Sequence, residues 1–162
     1  MDTLDRSNNQ IFADNQQGRL NLWWIVGFVD GEGYFSISIF RNVTSKSGFQ
    51  VFPEFVVTQG AKSLSALKKL QSYFGCGKIY ENRRADNHRE NLYRYCVRSL
   101  SDIQDKIIPF FEQFDLQTAK KQDFIAFCKV VELMKNRIHL TESGLQNIRD
   151  LASTTNRRKL RV

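Results

Sequence analysis

One segment of this sequence constrains the fold more than any other. Residues 20–29 read LNLWWIVGFV, a run of helix length that is apolar around almost its whole circumference. A helix on the surface of a globular domain carries one apolar stripe and a polar face. Two faces of this helix therefore require cover. Gly31 and Gly33 follow it, and we expect them to end the helix because glycine disfavours helix interiors.

Alternation with a period of two begins after these glycines. Phe35, Ile37 and Ile39 alternate with more polar neighbours over residues 34–42, which predicts a half-buried strand. A Ser/Lys/Gly turn at residues 45–48 leads to a second predicted strand over residues 50–59, so that the two form a hairpin. A second hairpin is predicted from residues 78–82, a polar turn over 83–89, and residues 91–99.

Apolar residues at helical spacing predict the remaining elements. One helix is predicted over residues 61–74, after which Gly75 and Gly77 break the chain. Two more are predicted at about 101–113 and 118–135, and residues 141–144 (TESG) open the last one. The order predicts an α+β domain with an αββαββα core, in which helices cover one face of a four-stranded antiparallel sheet. We expect residues 19–162 to form this single domain, preceded by a polar arm over residues 1–18.

The uncovered face of the predicted sheet is free to meet a polar partner. The period of two assigns to it Ser36, Ser38, Phe40, Asn42, Gln50, Glu54, Thr58, Lys78, Tyr80, Asn82, Arg94 and Arg98, and the turn of the second hairpin adds Arg83 and Arg84. The chain has a net charge of +7, which favours a polyanion as partner. A two-stranded ribbon with such side chains fits the major groove of DNA. An ordinary solvated sheet face is the alternative.

The cysteines and the hydropathy exclude several classes of protein. The three cysteines are far apart, and with only two histidines they form neither a convincing zinc site nor a disulfide framework. No apolar run reaches the roughly 18 residues that a membrane span needs. The polar N-terminus lacks the apolar stretch of a signal peptide. We therefore expect a soluble intracellular protein in a reducing compartment, with no membrane partner.

Glu32 lies between two glycines at the end of the apolar helix. A carboxylate there is unfavourable because the C-terminal end of a helix carries partial negative charge. One explanation is a glycine-rich helix stop whose acids point into water. The other is a bound cation, for which carboxylate and carbonyl oxygens are hard ligands suited to Mg²⁺.

Gly27 and Gly31 are four residues apart, so they lie on one helix face and let a second backbone approach. Two copies packed on this face would bring two Glu32 carboxylates beside a twofold axis. Metal ions held in that way near a phosphate are the arrangement that phosphodiester hydrolysis exploits.

Residues 25–33 (IVGFVDGEG) resemble the LAGLIDADG motif, with glycine third, Asp30 sixth, Glu32 eighth and a closing glycine. Ile-Val replaces the Leu-Ala of the motif's name. The resemblance extends over roughly residues 20–150. Val57-Thr58-Gln59 is similar to the family's strand that delivers a glutamine near the cleavage site, and residues 120–124 (KKQDF) are similar to its basic segment.

This resemblance implies an intron-encoded homing endonuclease of the single-motif, homodimeric type. Such an enzyme hydrolyses both strands of a long, near-palindromic DNA target with a divalent metal, here Mg²⁺. The implied roles are metal binding by Glu32 with the Gly31 carbonyl, solvent orientation by Gln59, and positive charge near the phosphate from Lys120, with Lys121 as the alternative. The predicted dimer interface consists of Trp23, Val26, Gly27 and Asp30. An intron RNA maturase and a non-catalytic DNA-binding protein of the same fold are alternatives, so intron RNA is a further candidate partner.

Overall fold

The computed structural model describes residues 20–82 and 91–155. The arm predicted for residues 1–18 lies outside this range, as do Arg83 and Arg84. The elements are α1 (Leu22–Glu32), β1 (Gly33–Arg41), β2 (Phe49–Gly60), α2 (Leu64–Phe74), β3 (Lys78–Asn82), β4 (Leu92–Val97), α3 (Leu100–Asp102), α4 (Ile108–Gln113), α5 (Lys120–Lys135) and α6 (Glu142–Thr155). The predicted αββαββα order and α+β class are confirmed.

Helix α1 begins at Asn21, whose side chain accepts a hydrogen bond from the Trp23 amide at 2.9 Å. The prediction that Gly31 ends this helix is wrong, because the helix continues through Gly31 to Glu32. The chain turns at Gly33, whose amide donates to the Val29 carbonyl. A Cβ on Gly33 would lie 2.7 Å from Val29 Cγ1, so this position requires glycine for space.

The four strands form one antiparallel sheet in the order β1-β2-β4-β3. The two hairpins are joined side by side because β2 pairs with β4, with Phe55 opposite Val97 and Val57 opposite Tyr95. Directly opposed residues lie on the same face of a sheet. The register therefore sorts every strand residue to the helix side or to the outer side.

The helices pack on one face of the sheet and enclose an aromatic core. Phe35 of β1 lies opposite Phe55, and their ring centroids are 5.3 Å apart. The same ring lies 5.6 Å from Phe111 of α4 and 5.1 Å and 5.3 Å from Phe124 and Phe127 of α5. Pairs of this kind stabilise a core by about 0.5–1.5 kcal/mol each beyond their burial.

The helix predicted at about 101–113 contains an irregularity. A π turn over Ile103–Ile107 joins α3 to α4. Pro109 lies two residues after this turn and has no amide hydrogen with which to continue the regular ladder. Within the described residues, no helix is long and apolar enough to cross a membrane.

Candidate functional site

The C-terminal end of α1 is where several of the predicted site residues meet. The ammonium of Lys120, on the first turn of α5, donates to the carbonyl oxygens of Val29 and Asp30 at 2.8 Å each. Burial lowers the pKa of Lys120 from its usual value, and the nearby carboxylates of Asp30, Glu32 and Asp123 partly offset this. Glu32 is thus close enough to Lys120 to stabilise its charged form.

The geometry distinguishes Lys120 from its neighbour, which the sequence did not. Lys121 points away from α1 and forms an ion pair with Asp115 at 2.8 Å. Both members of that pair are partly exposed to solvent. Lys120 is therefore the lysine that lies at the end of α1.

Asp30 is held within its own chain. Its carboxylate accepts hydrogen bonds from the backbone amides of Gln117 and Thr118, at 2.7 Å and 3.3 Å, and from the Thr118 hydroxyl at 2.8 Å. These bonds fix the segment immediately before α5. The carboxylate of Asp30 thus anchors α5 to α1 and so positions Lys120, and its place in a dimer interface stays a prediction.

We expect Asp30→Ala to lower the free energy of unfolding by about 1–3 kcal/mol, because three donors lose a charged acceptor. Chemical denaturation measures this, with Asp105→Ala as control. Asp105 is an exposed acid on the π turn, where the same substitution should cost little. Equal stability of the two variants would contradict the anchoring role of Asp30.

Gln59 lies near the same junction by register. Val57 pairs with Gly33, the first residue of β1, so Gln59 lies two residues beyond that pair, where β2 pairs with β4. It shares the helix-facing side of the sheet with Val57 and is half-buried. The register thus places Gln59 at the end of β2 that adjoins the junction between α1 and β1.

The oxygen atoms at this end of α1 suit a divalent cation. Glu32 is exposed, and among the described residues its carboxylate makes no hydrogen bond. Lys120 uses the carbonyls of residues 29 and 30, not that of Gly31. The described residues contain no cluster of three or more acids, histidines or cysteines that could hold a metal alone. One carboxylate with one carbonyl fits Mg²⁺, which takes few protein ligands and completes its shell with phosphates and water.

An apolar stripe on α1 faces away from the core. Trp23 is 59% exposed, and a Cβ added to Gly27 or Gly31 would meet nothing within 4 Å. The prediction of Val26 as an interface residue is corrected: it is only 2% exposed because it packs in its own core with Ile25 and Val29. Helical geometry turns positions 23, 27 and 31 to the opposite side from these buried residues.

The outer face of the sheet carries the predicted polar set. The cross-strand pairs Ser36–Glu54, Phe40–Gln50, Thr58–Arg94, Tyr80–Arg94 and Lys78–Cys96 place these residues on that face. Ser38 and Asn82 follow by the same register, and Asn42 donates to Gln50 at 3.0 Å across the hairpin. The strands thus present amide, hydroxyl and cationic groups away from the helices.

Six strand residues on this face were not anticipated from the sequence: Tyr34, Phe52, Val56, Gly60, Leu92 and Cys96. The same period of two includes them, since Phe52 and Val56 alternate with Gln50 and Glu54. Glu54 was predicted to face outward and does lie on this face, but it is only 8% exposed. Its carboxylate pairs with Arg98 and lies 3.6 Å from Arg94.

Comparison with known proteins gives matches that begin in α1 and extend into α5. Residues 25–131 match the LAGLIDADG endonuclease family. The chain is 34% identical over 133 residues to "Probable intron-encoded endonuclease 2" of Neurospora crassa, a match that covers 81% of this chain and 26% of that protein. Two further curated relatives are also covered over only 26% of their length.

Solved structures give the same result. The homing endonuclease I-TnaI has a TM-score of 0.79 at 36% identity, covering 86% of this chain and 90% of that chain. The meganuclease I-SmaMI, bound to uncleavable DNA, has a TM-score of 0.79 at 33% identity, covering 94% of this chain and 53% of that chain. It has also been solved on an uncleaved target in the presence of calcium ions. Because the family match runs from α1 through most of α5 and includes the junction around Glu32, this chain belongs to the LAGLIDADG endonuclease family.

Proposed function

We propose that this protein is a site-specific DNA endonuclease that hydrolyses phosphodiester bonds with Mg²⁺ and acts as a homodimer. The observation that carries the proposal is the junction at the end of α1, where Lys120 bonds to the last-turn carbonyls and lies within electrostatic reach of Glu32. Binding of DNA by I-SmaMI, a relative at 33% identity, supports DNA as the partner. Its structure in the presence of calcium ions supports a divalent metal.

In this proposal each residue of the junction has a separate role in phosphodiester hydrolysis. Glu32 and the Gly31 carbonyl would hold the metal ion, which when bound would supply Lewis-acid activation of water and compensate negative charge on the leaving oxygen. Lys120 holds the last turn of α1 through two carbonyls and adds positive charge toward the phosphate. Gln59 orients solvent through its amide group.

Two features of α1 support a homodimer. Each chain supplies one Glu32 at this junction, so two copies bring two carboxylates to the two strands of a duplex. The exposed stripe formed by Trp23, Gly27 and Gly31 is apolar and nearly free of side chains at its centre, which allows two helix backbones to approach closely. A C₂ pair would place this stripe against its own copy.

Incubation with a plasmid library of candidate insertion sites tests the activity directly. We expect linear products with Mg²⁺, and intact plasmid with a chelator or with Ca²⁺. Intact plasmid under all metal conditions would contradict the proposal, and tight binding of intron RNA without DNA cleavage would point to a maturase instead.

We expect Lys120→Met to lower the cleavage rate by a factor of about 100 or more, because the positive charge beside the phosphate is lost. Methionine keeps most of the side-chain volume. Lys121→Met is the matched control and should cut normally, because Lys121 bonds to Asp115 at the surface. Single-turnover cleavage of both variants measures the difference, and equal rates would remove Lys120 from the site.

A further inference from the structure

The outer face of the sheet contains one buried carboxylate. Glu54 of β2 is 8% exposed, although the register places it on the outer face of the sheet, opposite Ser36. Its neighbours on the face, Val56 and Cys96, are 0% and 2% exposed. Burial raises the pKa of the Cys96 thiol to about 11, and Glu54, Arg94 and Arg98 all act on it. The thiol therefore lies beneath these three charged side chains.

Two arginines converge on this carboxylate. Arg98 donates from Nε to one oxygen of Glu54, and Arg94 Nη2 lies 3.6 Å from the other oxygen. The bond from Arg98 uses Nε, so the outer edge formed by its two terminal nitrogens stays available for another acceptor. Bonding to Glu54 raises the pKa of Arg98, which keeps it charged.

Aromatic side chains restrain both arginines further. Arg94 Nη2 donates to the Tyr34 hydroxyl at 2.6 Å. The Arg98 guanidinium carbon lies 4.8 Å from the centroid of the Tyr80 ring and 5.9 Å from that of Phe52. Because these partners come from β1, β2 and β3, the two arginines are held in fixed orientations across the middle of the sheet.

The charge of the trio matters for binding a polyanion. Two guanidinium groups and one carboxylate sum to a single positive charge, so the trio attracts phosphates less than two unpaired arginines would. Arginines ordered before binding also lose less side-chain entropy when they meet a base. A planar guanidinium fork matches O6 and N7 of guanine, which gives oriented arginines a way to discriminate between bases.

We propose that Glu54 is a specificity-determining positioning residue, which orients Arg94 and Arg98 toward base edges and weakens their attraction to phosphates. The inference rests on the proposed function, since it assumes that this face binds DNA. Glu54 touches neither the reacting phosphate nor the metal, and it acts through the two arginines.

The test compares wild type and Glu54→Gln on a randomised duplex library in the presence of chelator, with sequencing of the bound fraction. We expect the variant to lose base enrichment about tenfold at a few adjacent positions, since one discriminating bidentate contact contributes a factor of roughly 5 to 150. On a random-sequence duplex, its affinity should rise, and the slope of log Kobs against log[salt] should steepen by about 1 as one more phosphate is neutralised. A purely structural role for Glu54 would not steepen this slope.

Glu112→Gln is the matched control. Glu112 is exposed on α4 in the helix layer, so its loss changes the net charge equally but should change neither the enrichment nor the slope. If the wild-type protein enriches particular bases and Glu54→Gln gives the same enrichment pattern and the same salt slope, the inference is overturned. A wild-type protein that binds the library without any preference would instead count against the proposed function.

A second variant keeps the inference testable if Glu54→Gln does not fold. Thermal unfolding would reveal such a loss of folding. Arg98→Lys keeps the positive charge but lacks the planar fork. We expect it to lose enrichment at one or more of the positions that Glu54→Gln affects, with the salt slope unchanged. If Glu54→Gln unfolds, Arg98→Lys alone decides: an unchanged enrichment pattern would overturn the inference, and lost enrichment at adjacent positions would support it.

Discussion

Glu32→Gln is expected to reduce DNA cleavage by several orders of magnitude, while binding to the target in chelator stays the same or becomes tighter. The amide keeps the size of the side chain but is a poorer ligand for Mg²⁺, on which the activated water and the stabilised leaving oxygen depend. Binding improves because Glu32 lies at the negative end of α1, where it repels an approaching phosphate.

Both functions are measured on the same preparation of this variant. Cleavage is followed in single-turnover reactions with Mg²⁺, and affinity by titration of a labelled target in chelator. Glu112→Gln again provides a control for the change in net charge. Cleavage at the wild-type rate would refute the metal-binding role, whereas loss of folding or of all binding would favour Glu32 as part of a structural helix stop.

Gly27→Leu is expected to break both assembly and cleavage without harming the fold of the single chain. A Cβ added at this exposed position meets nothing within 4 Å in the described part of its own chain. Leucine is also the better helix former, so the isolated chain should gain up to about 0.5–1 kcal/mol of stability. In a pair of helices packed on the stripe, the same side chain would force the two backbones apart.

Sedimentation equilibrium and cleavage of both strands measure the two effects together. Ser65→Leu, on the exposed side of α2, is the control for adding an apolar side chain to a helix surface. We expect Ser65→Leu to remain dimeric and active. A wild-type protein that is a stable monomer and still cuts both strands would refute the dimer, as would a Gly27→Leu dimer of unchanged affinity.

The sequence by itself determined the elements and their order. The alternation of Phe35, Ile37 and Ile39 with polar neighbours is a period of two, which only a strand with one buried face satisfies. Leu64, Leu67, Leu70 and Phe74, at spacings of three and four, defined α2 in the same way. Gly75 ends this helix with a positive φ of 59°. The motif around Glu32 is also local, because its residues lie next to one another in the chain.

The tertiary structure alone decided which distant residues meet. Nothing in KKQDF indicates that Lys120 reaches the carbonyls of α1 while Lys121 reaches Asp115, because that depends on how α5 docks. Val26 and Asp30 belong to the motif, yet one enters the core and the other anchors the start of α5.

The same holds for the outer face of the sheet. The period of two assigned Glu54 to the correct side but not its burial, which arises because β4 lies beside β2 and brings two arginines to it. Periodicity follows from the backbone geometry of one element and can be deduced from neighbouring residues. Pairing of side chains follows from the docking of elements that are far apart in the chain, so it requires the folded coordinates.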